Sequence, residues 1–337
     1  MSNKKNTAPK SGEKFKSKIG GQALIEGVMM RGIDTSAMAC RMPDGSIDVE
    51  TWKIRNGKTA PWYLKTPFIR GCFNFAISLI DGMKCTMKSA EKQADADDDD
   101  DDDEPSKFEQ WLSKTRPYKW LESKIEGENG KEVMNTIMLV VCVVVMILCV
   151  CAFKFFPALL SLPLGLLGAP DWCKTVFEGI IKVALLVGYM WLISHMKEIH
   201  KTFKYHGAEH KTIACYEAEL ELTVENVRKQ IRFHPRCGTS FIFLVVLLSI
   251  IIGMFLPWKN LWARFGLQLL MLIPETSIGY ELIKLAGRYD NIFTRIISAP
   301  GIWLQHITTC EPDDLQIEVA IAALKPCIPE NKEDDKW

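Results

Sequence analysis

Residues 136–153, eighteen positions without a single charge, constrain this chain more than any other feature. A helix of about 20 apolar residues is what crosses the hydrocarbon core of a bilayer, so a first spanning helix is expected over 133–156. Three further apolar runs follow at 175–194, 241–258 and 261–286. Together they predict an α-helical integral membrane protein with about four transmembrane helices. The second run carries Glu178 and Lys182 one turn apart, a spacing at which they can neutralise each other. The fourth differs from the rest, because Pro274, Glu275, Glu281 and Lys284 interrupt it.

Composition agrees once it is read locally. The formal net charge is zero, but an acidic block cancels basic segments elsewhere, and no nucleic-acid partner is expected. The loop between the second and third runs holds Lys197, Lys201, Lys204, Lys211, Arg228, Lys229, Arg232 and Arg236, whereas the connector after the first run has only Lys154 and Lys174 at its margins. By the positive-inside rule the basic loop faces the cytoplasm. An even number of spans then places both termini there too, in a multi-pass cell (inner) membrane protein whose first partner is the lipid bilayer. The eleven cysteines show no regular spacing and are read as reduced thiols.

In chain order, residues 1–18 read as a disordered, basic amino terminus without the apolar region of a cleaved signal. Residues 19–92 read as a cytosolic unit with a glycine-rich start, a β-hairpin and an amphipathic helix. Within it, 36–41 and 46–54 look like strands joined at Pro43-Asp44-Gly45, and the glycine-rich stretch 19–32 reads as a turn-rich start to a small β unit. A sharper reading of that stretch puts Glu26 or Arg31 at the edge of an active site. Residues 67–88 form the amphipathic helix, interfacial or re-entrant. The aspartate run at 97–103 makes 93–106 an acidic disordered linker, and 107–132 a juxtamembrane helix with aromatics at headgroup level. Spanning helices one and two occupy 133–194, the cytosolic histidine-rich loop 195–240, and helices three and four 241–286. The remainder, 287–337, contains a short interfacial segment at 296–304 and a cytosolic helix at 315–324 that Asp313 or Asp314 can cap.

The loop 195–240 carries the chemistry, since it holds five of the six histidines. In Tyr205-His206-Gly207-Ala208-Glu209-His210-Lys211 a helical period puts His206 and His210 on one face, with Glu209 beside them. H-x-x-E-H is a metallopeptidase signature of the inverted zincin class. His206 and His210 are thus candidate ligands for a divalent, zinc-type metal, and Glu209 is the candidate general base. The third ligand can be His234, Cys237 or Glu281. Against this stand Gly207, which weakens the helix, and anionic lipid headgroups, which a basic histidine-bearing loop can meet instead. His195 and His200 are read mainly in that second way. Glu281 can equally be a structural acid neutralised by Lys284 or Arg288.

Taken together, Gly20-Gly21-Gln22, Glu26 to Gly32, the Tyr205–Lys211 motif, His234-Pro235-Arg236-Cys237-Gly238-Thr239-Ser240, Tyr280-Glu281 and Pro300-Gly301-Ile302-Trp303-Leu304-Gln305 leading to Glu311-Pro312-Asp313-Asp314 resemble the YqhQ-like bacterial membrane proteins. The resemblance covers nearly everything from 19 to 324 and implies a domain of unknown function catalogued among predicted metal-dependent enzymes, with no substrate attached. The aspartate run and Glu275 depart from the family pattern. Three functional classes follow: a metal-dependent hydrolase at the cytoplasmic interface, a transporter or metal-handling protein, and a non-enzymatic scaffold or assembly factor. Against transport, the spans show no clear internal repeat and no set of several paired ionisable residues. Nothing in the sequence sets the substrate or the oligomeric state.

Overall fold

The computed structural model describes residues 15–54, 61–97, 130–258 and 260–336. The expectations for residues 1–14, for the aspartate run beyond Asp97 and for the juxtamembrane helix as far as residue 129 lie outside these. The chain is mostly helical with one small antiparallel sheet of order β1-β2-β3-β4, formed by Gly20–Leu24, Gly27–Arg31, Thr35–Arg41 and Ile47–Lys53.

The expected hairpin is β3–β4. Asp44 accepts hydrogen bonds from the Ser46 amide and hydroxyl at 2.8 and 2.6 Å, and Gly45 takes a φ of 84°, the left-handed conformation such a turn requires. The glycine-rich stretch supplies β1 and β2, joined by a two-residue turn in which Glu26 has a φ of 50°.

Strand periodicity explains how the sheet is covered. Val28, Met30, Ala37 and Ala39 point to one face, and Met29, Met38 and Cys40 to the other. Both faces are buried. The second face is covered by α1, Ile69–Asp97, through Cys85. This helix runs well past the expected 67–88 and into the acidic linker. The first face packs on α5, Lys197–Glu217, and α10, Asp314–Leu324, in one core with Tyr205, Ala208, Ile317, Ala320 and Leu324. That core joins the amino-terminal unit, the histidine-rich loop and the carboxyl-terminal helix. Even the end of the basic tail is fixed, since the Ser17 hydroxyl donates to Asp335 at 2.7 Å. Asp313 caps α10, its amide donating to Gln316 at 2.6 Å.

The remaining helices form a bundle. In chain order they are α2 (Gly130–Leu160), the short α3 (Leu162–Leu166), α4 (Asp171–Ile193), α7 (Gly238–Gly253), α8 (Leu261–Arg288) and α9 (Ile292–Thr308); the short α6 (Val224–Arg228) lies in the loop after α5. Among the described residues two helical stretches, Leu139–Leu166 and Asp171–Ile193, are long and apolar enough to cross a membrane. The four spans expected from sequence reduce to these two by length and composition. The third run ends early, giving the 16-residue α7, and the fourth is continuous through Pro274 but diluted by its charges. The interfacial segment at 296–304 is part of the longer α9.

Candidate metal centre

The site grows from α5. Gly207, a weak point for a helix when viewed alone, lies inside a continuous helix from Lys197 to Glu217. Its lack of a side chain is used for packing, because a Cβ there would run into the carbonyl oxygen of Cys310. With the helix intact, His206 and His210 lie one turn apart and meet edge to face, their ring centroids 4.4 Å from each other.

Backbone carbonyls hold both rings. His206 Nδ1 donates to the Thr308 carbonyl at 2.8 Å and His210 Nδ1 to that of Arg232 at 2.5 Å. Each Nε2 is thereby turned inward, the arrangement in which a second hydrogen bond orients a metal-binding imidazole. The third group is Cys237, the N-cap of α7, whose Sγ lies 3.1 Å from His206 Nε2. The ligand atoms of His206, His210 and Cys237 all fall within 4.8 Å of one another. Ligands around a tetrahedral zinc stand roughly 3.3–3.8 Å apart, so the three need only small adjustments to share an ion.

Gln305 of α9 fixes the Cys237 turn. Its side chain accepts from the His234 amide at 2.8 Å and donates to the His234 carbonyl at 2.7 Å and to Ser240 Oγ at 3.0 Å. The ligands therefore rest on α5, the start of α7 and the end of α9.

The electrostatics follow from this packing. Burial pushes the His206 imidazole down, but the Cys237 thiolate beside it outweighs that and holds it at about 9. Burial likewise pushes the Cys237 thiol up, yet His206 and His210 bring it well below the ordinary thiol value. The positive end of the α7 dipole favours the same thiolate. Imidazole nitrogens beside a thiol that favours its thiolate are a donor set suited to zinc.

Glu209 lies beside these groups, buried. Burial raises its carboxyl above the usual range, opposed by His210 and His206. Among the described residues its Oε2 has no hydrogen-bond partner. An orphaned carboxylate oxygen next to three converging ligands is what a proton acceptor in such a site requires. The glycine-rich strand β1 closes over it: a Cβ on Gly21 would stand 2.9 Å from the Glu209 carboxyl carbon. The sharper reading of that strand pair is met differently. Glu26 reaches α5 through Tyr205 Oη at 3.1 Å and an ion pair with Lys201, while Arg31 faces Asp81 of α1 at 3.5 Å.

Two of the sequence candidates are not brought to the centre. His234 lies near the His210 ring, centroids 5.7 Å apart, but its Nε2 accepts from Arg236 at 3.1 Å and faces Glu217 at 3.7 Å. Burial pushes His234 down to about 4. Burial works against the Glu217 carboxylate, but contacts from His234 and Arg236 hold it down at about 2. Glu281 belongs to another junction. Arg70 of α1 grips it through Nε at 2.7 Å and Nη2 at 2.5 Å, and the Phe68 amide donates to it at 3.2 Å. It is a neutralised acid, as one reading allowed: Arg70 supplies the direct ion pair, and Lys284 of its own helix adds a favourable charge. Thr308 and Arg70 carried no sequence signal, Arg232 entered only among the basic residues of the loop, and Gln305 stood in a quoted motif without an assigned role.

His195 and His200 also remain apart from the centre. His195 Nδ1 meets the Trp191 carbonyl at 2.8 Å, and His200 faces Cys310 at 3.6 Å.

Comparison with known proteins gives a family and no activity. The uncharacterized protein YqhQ of Bacillus subtilis (strain 168) is 32% identical over 303 residues, 90% of this chain and 89% of that protein. No solved structure matches. Residues 66–330 match the model described as protein of unknown function DUF1385, and the chain belongs to that YqhQ-like family.

Proposed function

We propose that the protein is a metal-dependent hydrolase of the inner membrane with its site at the cytoplasmic face. The observation that carries this reading is the convergence of His206, His210 and Cys237 within 4.8 Å of one another, with the orphaned Glu209 oxygen beside them. Three protein ligands leave one tetrahedral position for water or substrate, the pattern of catalytic rather than structural zinc. When bound, such an ion supplies Lewis acidity, polarising a carbonyl or phosphoryl oxygen and making water acidic enough to lose a proton near neutral pH. His206, His210 and Cys237 would hold it. Glu209 takes the proton from the attacking water and returns it to the leaving group. Gly21 and β1 keep bulk water from the carboxylate, and Gln305 and Thr308 keep the ligands aimed.

The membrane placement has its own support. Only 6% of the Leu139–Leu166 window is buried within the protein, and Val140, Val141, Val144, Val145 and Leu148 are exposed. A soluble core helix has the opposite property. We read α7 and α8 as the third and fourth spans, since α7 packs its apolar length between α4, α8 and α9. Because the sheet, α5 and α10 share one core, they lie on the same side, which the basic loop makes cytoplasmic. The site then stands where α7 enters the bilayer, on the same stretch of α9 as the exposed Trp303. That position suits an ester or peptide bond of a lipid-linked substrate.

The test is spectroscopic and catalytic. Cobalt-loaded protein in detergent is expected to show a thiolate-to-metal charge-transfer band that Cys237→Ser removes and a hydroxamate perturbs. In a screen of lipid-linked esters and peptides, Glu209→Gln is expected to abolish turnover while keeping the metal. A band insensitive to hydroxamate, or turnover that survives Glu209→Gln, refutes the hydrolase.

A further inference from the structure

The bundle carries a second cluster of ionisable groups that the metal centre does not use. Lys154 of α2, Glu178 and Lys182 of α4, and Arg264, Gln268 and Glu275 of α8 are each at most 5% exposed. Lys154 Nζ donates to Glu275 at 2.6 Å. Glu178 is shared more widely: Lys182 donates to it, Gln268 Nε2 donates to it at 2.6 Å and Arg264 Nη2 at 3.2 Å. The other arm of Arg264 closes the end of α7, donating to the carbonyls of Gly253 and Leu256 at 2.9 and 2.8 Å. These paired charges overturn the sequence expectation that the spans lack them. They escaped it because Lys154–Glu275 and Arg264–Glu178 join different helices.

The cluster is incomplete in three ways. Among the described residues it holds three cations against two carboxylates, and an uncompensated buried charge is costly. Among the described residues Arg264 Nε has no acceptor, and Gln268 Oε1, one turn further along α8, has no donor. One group answers all three if it carries a single negative charge, accepts a hydrogen bond and donates one. Chloride supplies the charge but cannot donate, and water donates but has no charge. A protonated oxyanion does both. We propose that Arg264, Gln268 and Lys182 bind a protonated oxyanion: dihydrogen phosphate, hydrogencarbonate or the monoanion of a phosphate monoester. This site is separate from the metal centre, because Cys237 and Gly253 lie at opposite ends of α7, roughly 24 Å apart at the helical rise.

The experiment follows thermal unfolding of the full chain, metal-loaded and in detergent, while phosphate, hydrogencarbonate or chloride is titrated at constant ionic strength and mildly acidic pH. Phosphate is expected to raise the midpoint saturably and chloride to leave it unchanged. Gln268→Leu, which keeps every charge, is expected to weaken the apparent phosphate affinity about tenfold, and Lys182→Met more. His206→Ala is expected to keep the phosphate shift, which separates this site from phosphate bound at the metal. A short-chain phosphatidic acid in the same detergent distinguishes a lipid headgroup from the free ion, and saturation by either supports the site. If Lys182→Met does not fold, Gln268→Leu alone decides. Equal shifts with chloride, no shift with any anion, or a shift untouched by Gln268→Leu would overturn the proposal.

Discussion

The two halves of the molecule are built with opposite polarity. Around the sheet, apolar side chains such as Val28, Tyr205, Ile317 and Leu324 are inside, and ion pairs such as Arg228–Asp314 and Lys229–Glu225 are outside. In the bundle, Val140, Leu148 and Trp191 are outside, and Lys154–Glu275 and Arg264–Glu178 are inside. With the membrane placement proposed above, each half is sorted by its surroundings, water in the first case and hydrocarbon in the second. The candidate metal centre lies at the seam. Its ligands come from both halves: His206 and His210 from the water-facing side, and Cys237 from the first cap of a bundle helix.

The largest effect that tests this contrast is expected in the bundle. Glu275→Leu leaves Lys154 buried without its carboxylate and should cost about 3–5 kcal/mol, whereas adding Lys154→Met should recover most of the loss. Unfolding of both variants in detergent checks it, and a double variant no better than the single one would break the account of that pair.

A somewhat smaller effect concerns pH in the water-facing half. The folded His234 value of about 4 lies below the ordinary 6.5, so the fold stabilises the neutral ring. That contribution is complete above pH 6.5 and is lost as pH falls toward 4, roughly 3 kcal/mol in all. Unfolding midpoints across that window should drop for the wild type and stay flatter for His234→Asn; parallel profiles would exclude His234 as the cause.

The smallest effect lies where the strand crosses the site. A Cβ on Gly21 would sit 2.7 Å from the Met29 carbonyl oxygen, while one on Gly20 meets nothing within 4 Å. Gly21→Ala should therefore cost about 1–3 kcal/mol and disturb Glu209, and Gly20→Ala less than about 0.5 kcal/mol. Equal losses would mean that β1 does not press on the site.

What could be read from the sequence was local. The apolar runs, the Asp44-Gly45 turn, the Asp313 cap and the His206/His210 spacing each depend on residues within a few positions of one another. The third candidate ligand did not: of His234, Cys237 and Glu281, the fold brings only Cys237 together with the two imidazoles. His234 and Cys237 are three residues apart, but only Cys237 caps α7 and faces the imidazoles. Glu281 meets a partner 211 residues away, a separation that no periodicity reports. Gly207 was read as a weakness of the helix because helix propensity is intrinsic, whereas its use against Cys310 is tertiary.

The most direct measurement is the metal content of protein purified in detergent, compared with His210→Ala and Cys237→Ser. The account predicts about one zinc-type ion per chain in the wild type and its loss in both variants, with correctly folded protein remaining. A wild type without stoichiometric metal, or variants that retain it, would contradict the assignment of His206, His210 and Cys237 as one centre.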